Sequence, residues 1–333
     1  MKRTLFQMLL FIALCYSTAQ FVFAQSVLPI VLDTIAVGGS GGMDCITCDP
    51  KMHRLYISHS SRVEVVQYDT KEHVGSIEKT SGVHGIALAP EFSRGFTSNG
   101  KSDNVTVFDL KTLAVIGTID VGKKPDAIIY EPVTKRIFTF NGESENCSVI
   151  DAATMKVVGT LALGGGPEAA VADRKGDIFV NIETTNEVVR FNAASLKISS
   201  RSPIAPAQTP TGISMDREKR ILFIGGRNQI FVVMNADDGK IIANFPIGKG
   251  VDGTAFDSKT GMIYVSNKDG SLDVIHEDSL SQFTLVGKLQ TSPGAKTLAL
   301  DSKAHHVFLP TSRQVDGLGG MKGEMMVLVV GRK

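Results

Sequence analysis

The chain has 333 residues, 35 basic against 34 acidic for a net charge of +1, and no tryptophan. Near neutrality leaves no global field to draw nucleic acid or an anionic membrane toward it. The absence of tryptophan counts against a tryptophan-stacked quinone cofactor and weakens a sugar-binding reading.

The first element is a leader. Lys2 and Arg3 precede an apolar stretch from Leu5 to Leu14 interrupted only by Gln7, and Val22-Phe23-Ala24 stands just before Gln25. This pattern predicts a Sec-type signal peptide over residues 1–24, with a core too short to anchor in a bilayer. Cys15 follows the bulky Leu14, which argues against a lipid anchor. Cleavage would remove two basic residues and no acid, leaving 33 against 34 and a net charge of −1. No later apolar run is long enough to cross a membrane. The expected mature protein, residues 25–333, is periplasmic or secreted.

Beyond the leader the chain reads as one repeat. Strands ending in a turn recur at Asp69, Asp109, Asp151, Asn192, Asn235 and His276, spaced by 40, 42, 41, 43 and 41 residues, the period of propeller blades. A second landmark strand begins at Asp44, His84, Asp126, Glu168, Thr211, Asp252 and Lys296, which counts seven units. Each unit holds four short strands by its alternation, β-branched residues and turn signals. The seventh stops after its third strand, Met326–Val330, whereas Ile30–Gly38 matches the outer strands near Lys156–Gly164. The prediction is an all-β, seven-bladed propeller whose last blade is closed by the N-terminal strand.

Tyr264-Val265-Ser266-Asn267, and the stretch from Val107-Phe108-Asp109 to Gly122, carry a resemblance to the YVTN-type, or YncE-like, β-propeller family. It extends over residues 26–333. The resemblance implies an exported bacterial protein. It also admits single-stranded DNA binding and, through the fold, enzymatic activity, because fold does not fix function.

Sites in a propeller gather where the loops into the inner strands meet the loops between second and third strands. The inner-strand ring there is Asp44, His84, Asp126, Glu168, Thr211, Asp252 and Lys296. Converging carboxylates repel and call for a cation or hydrogen-bond donors. Calcium or another hard cation would serve, or each acid could cap its own turn. His59 and Asp44 of unit one and His84 of unit two form a candidate zinc-type set; the alternative is solvated loop histidines. Arg227 and Arg313 join the candidate ligand contacts from neighbouring loops, and the long stretch Thr311–Glu324 lies on the same side. The small residues that follow the ring positions, Cys45, Gly85, Ala127, Ala169, Gly212, Gly253 and Thr297, predict a narrow channel.

Cys45 and Cys48 form a C-x-x-C on a predicted strand, where a redox pair does not belong, and they read as inert. Gly38-Gly39-Ser40-Gly41-Gly42 matches G-x-S-x-G but opens no helix, so it marks no hydrolase nucleophile elbow, and no basic run interleaved with aromatics marks a single-strand platform. The leading expectation is a monomeric binding protein of the bacterial cell envelope for a protein or small-molecule ligand. The alternative is a metal-dependent lactonase or related hydrolase using the ring acids. Single-stranded DNA binding is third, and nucleic acid is a disfavoured partner.

Overall fold

A computed structural model describes residues 28–39, 41–312 and 323–333. The leader, Arg313 and most of the stretch from Thr311 to Glu324 lie outside the described residues. The described residues form 28 strands in seven antiparallel sheets of four, and one 3₁₀ turn at Pro90–Phe92. Six sheets take four consecutive strands each, beginning at Met43, Val83, Pro125, Pro167, Pro210 and Val251. The seventh draws on both ends of the chain: Ile30–Ala36 pairs antiparallel with Met325–Gly331, placing Ile35 opposite Val327. The predicted fold and its closure therefore stand.

The repeat's landmark residues have local reasons. Asp109 Oδ1 accepts the N–H groups of Lys111 and Thr112 at 2.9 and 2.8 Å, and Asn192 Oδ1 accepts those of Ala194 and Ser195. A short polar side chain that caps the next turn ends the third strand in blades one to five. Asn267 of the Tyr-Val-Ser-Asn stretch is fully buried, and its amide reaches Asp273 Oδ2 at 2.8 Å. Asn99 and Asn141 make comparable bonds to Thr106 and Ser148. These asparagines hold hairpins together, as turn-forming residues do.

The core lies between blades. Tyr56, Val63 and Val65 of blade one pack on Ile86 and Phe108 of blade two, and Phe138 and Phe140 of blade three on Ile178 and Phe191 of blade four. Ile35 and Val327 of blade seven pack on Ile46 and Leu55 of blade one, so the closing contact is built like the others. Burying each such side chain contributes about 2 kcal/mol, which makes blade stacking the main stabilising term.

The inner strands approach one another closely. A Cβ on Gly85 would lie 2.8 Å from Ile128 Cγ2, and one on Gly212 would lie 3.0 Å from the backbone of Gly253. Small residues at these positions are required by the narrow channel. Blade seven differs from expectation. Its inner strand, expected to begin at Lys296, runs only over Ala299–Asp301. Among the described residues no helix is long and apolar enough to cross a membrane.

Candidate functional site

The ring positions are set by a recurring irregularity. The pairing of first and second strands shifts between Met43 and Ile46, Val83 and Ile86, Pro125 and Ile128, Pro167 and Ala170, Pro210 and Ile213, and Val251 and Gly253. A bulge re-aims the side chains it contains. Here it contains Asp44, His84, Asp126, Glu168, Thr211 and Asp252. The freed N–H groups find serines: Cys45 N donates to Ser58 Oγ at 2.8 Å and Gly85 N to Ser98 Oγ at 2.9 Å.

Six bulges and Lys296 bring all seven ring residues around a bowl of about 470 Å³. Ser60, Lys101 and Arg227 line it from the loops between second and third strands. The ring acids do not serve as caps for their own turns. That task falls to the acids at the opposite end of the inner strands, such as Asp49, Glu131 and Asp216, which accept backbone N–H groups. The ring acids instead pair across blades. His84 Nδ1 lies 2.5 Å from Asp44 Oδ2 and 3.6 Å from Asp126 Oδ1. Lys296 Nζ lies 2.7 Å from Asp44 Oδ1 and also contacts Asp252 Oδ2. Arg227 lies 3.3 Å from Glu168 Oε1 and 3.4 Å from Glu183 Oε2. Thr211, the neutral member, donates to Val251 O at 2.7 Å.

This pairing divides the acids into two kinds. Burial pushes the Asp44 carboxyl up, but the hydrogen bond from His84 and the charge of Lys296 outweigh it and hold it at about 2. Asp44 in turn raises His84, against the cost of burial. Burial disfavours a charged Lys296, yet Asp252 and Asp44 raise its pKa on balance. Asp126 and Glu168 move the other way. Burial raises Asp126, the His84 charge opposes it, and Asp44 and Asp252 add repulsion. Burial and repulsion from Asp126, Glu183 and Asp252 lift Glu168 to about 8 despite Arg227. One bowl thus holds a firmly ionised, cation-bridged side and a proton-retaining side.

The zinc-type set is regrouped. Ligand-capable atoms of Asp44, His84 and Asp126 lie within 4.8 Å of one another. His59 stands elsewhere, buried with Nδ1 at 3.1 Å from Glu64 Oε1. Glu64 also receives His73 and Ser76 at 2.8 and 2.6 Å, together with Arg62. Asp126 was not distinguishable from the other ring acids in sequence. What selects it is its adjacency to His84 around the ring. A cation placed among the three would compete for Asp44 with Lys296, which already offsets that carboxylate's charge.

Cys45 lines the bowl and Cys48 the opposite mouth of the channel. Both are free, and burial pushes both thiols up, which accords with the inert reading.

No family model matches the sequence, and no curated protein does. Solved structures share the fold. Hydrazine synthase from Kuenenia stuttgartiensis aligns with a TM-score of 0.73 and 17% identity over 81% of this chain and 92% of that one. U3-55K aligns at 0.77 and 10% identity, covering 90% and 99%. The RRP9 WD40 repeats align at 0.77 and 11%, covering 91% and 99%. At such identities the likeness shows the fold alone. The chain is a seven-bladed propeller.

Proposed function

We propose that this is an exported, YncE-like binding protein of the bacterial cell envelope, and that it contacts its ligand through the channel-entrance bowl. The observation that carries the reading is the cross-blade pairing of the ring side chains. Charged groups are drawn into a shared concave site, where desolvation costs free energy, although the same acids could have capped local turns. Lys101 and Arg227 are exposed on the rim, Arg227 while paired with Glu168 and Glu183. Residues 1–24 are the signal peptide in this reading, residues 25–333 the mature propeller, and the protein acts in the periplasm or outside the cell as a monomer.

Capture from the host envelope with the chain and with its Asp126→Asn/Glu168→Gln/Asp252→Asn variant, side by side, tests the proposal. A specific partner or ligand should be retained by the first and lost by the second. Identical recovery by both would place the contact elsewhere.

The proximity of Asp44, His84 and Asp126 favours one second reading, a metal-dependent lactonase or related hydrolase. A divalent cation there would polarise a carbonyl and activate water. Glu168, carrying a proton near neutrality, would offer an acid across the bowl. Calorimetry with calcium, zinc and magnesium decides it: saturable binding lost in His84→Ala supports the enzyme, and no binding ends it. A phosphate backbone would meet four carboxylates in the bowl, which speaks against single-stranded DNA as its ligand.

A further inference from the structure

The channel has a second mouth on the opposite face, with a cavity of about 630 Å³. The far ends of inner strands from blades one to five form its wall. Ile86, Leu88, Ile128, Ile129, Tyr130 and Val171 make much of that wall apolar. Arg174 and Arg217 also line it. In the aligned repeat they occupy the same position, one or two residues past the inner strand of blades four and five, where blades one to three carry Pro50, Pro90 and Pro132 and blades six and seven Ser258 and Ser302. Only these two of the seven positions carry a cation.

Both guanidiniums are short of acidic partners. Arg217 Nε donates to Ala172 O at 2.9 Å, which ties it to blade four. Among the described residues neither arginine forms an ion pair with a carboxylate. The surrounding acids are committed. Asp173 lies 2.9 Å from Arg220 and accepts Lys175 N–H, and Asp216 accepts the N–H groups of Glu218 and Lys219. Asp49 accepts Lys51 and Met52 N–H, and Glu91 lies 3.5 Å from Lys135 Nζ. Burial and repulsion from Arg174 bring Arg217 down to about 10, with Asp173 and Asp216 opposing only in part. Two cations thus repel each other at the mouth of the cavity, and among the described residues neither is ion-paired to a carboxylate.

We propose that this mouth binds an amphipathic organic anion, a carboxylate or sulfonate on an apolar body. The head group lies between Arg174 and Arg217, whose planar forks suit a bidentate oxyanion. The apolar body lies against Ile128, Ile129 and Val171. An apolar cavity with a few convergent polar groups is the usual form of a small-molecule site. This site is separate from the entrance bowl and does not depend on the function proposed for it.

The test is calorimetric titration of the purified chain with dodecanoate below its micelle concentration, and in parallel with dodecylammonium, which has the same apolar body and the opposite charge. Dodecanoate should saturate one site, and Arg174→Gln/Arg217→Gln should weaken it at least tenfold. Dodecylammonium should show no such site. Failure of dodecanoate to saturate, equal binding to the double variant, or equal binding of dodecylammonium would each overturn the proposal. If the double variant does not fold, Arg174→Gln alone removes an exposed residue and should still weaken dodecanoate several-fold; unchanged affinity in that variant is equally fatal.

Discussion

Lys296 Nζ of blade seven lies 2.7 Å from Asp44 Oδ1 of blade one, so the two ends of the ring meet in an ion pair as well as in a shared sheet. The same ammonium also contacts Asp252 of blade six. The seam of the fold and the candidate site are one structure.

Lys296→Met should cost about 3 kcal/mol, because it strands two partly buried carboxylates without their cation. Denaturant unfolding would measure it. Adding Asp252→Asn should restore part of the loss, since one of the two stranded charges is then removed. A change within about 0.5 kcal/mol would mean that water already compensates these acids.

Glu168 predicts a pH dependence of unusual sign for an acid. Its folded pKa, about 8, lies above its ordinary value of 4.5, so the folded state holds the extra proton between those limits. Stability should therefore fall as pH rises from about 4.5 to 8, by at most about 1.4 kcal/mol per pH unit. Glu168→Gln should flatten this slope. A slope unchanged in the variant would assign the proton to another group.

Glu64 predicts the opposite at low pH. Burial pushes its carboxyl up, but hydrogen bonds from Ser76, Arg62, His73 and His59 outweigh burial and hold it at about 2, against an ordinary 4.5. Its contribution, about 3 kcal/mol, is present above pH 4.5 and is lost as pH falls toward 2. Asp44 adds to this loss in the window from 3.8 to about 2. Acid unfolding of Glu64→Gln should show a shallower dependence from a lower starting stability.

Much of the fold could be read from sequence because each blade repeats the same local chemistry. An acid or asparagine capping a turn is a signal within five residues, and the inner strands that begin at Asp44, His84, Asp126, Glu168, Thr211, Asp252 and Lys296 fix the count at seven. The missing fourth strand of blade seven was visible because Ile30–Gly38 carries the same pattern as its counterparts. The ring positions were legible for the same reason. Which ring residues pair was not. His84 meets Asp44 and Asp126 only because the bulges turn consecutive blades' side chains toward each other, and a bulge leaves no mark in composition. His59 was grouped with the ring by its place in a loop, whereas its partner Glu64 sits five residues away in the next strand. The short inner strand of blade seven has no sequence signal either, since Lys296-Thr297-Leu298 has the residues of a strand without its ladder.

The closure itself can be cut. Ile35 is fully buried between blades seven and one, and Ile35→Ala should cost about 3 kcal/mol. Deleting residues 30–38 should lower and broaden the thermal transition, because blade seven then loses its edge strand. A sharp transition at the original temperature would show that the ring holds without it.

Site-resolved crosslinking tests the proposed contact face most directly. A photoreactive residue would replace Lys101, exposed at the entrance bowl, and separately Lys303, exposed in a turn on the opposite face. The two variants would be irradiated in the native host. A specific adduct from position 101 that is absent from position 303, and that disappears when Asp126, Glu168 and Asp252 are neutralised, is the predicted result. An adduct from position 303 alone would contradict the account.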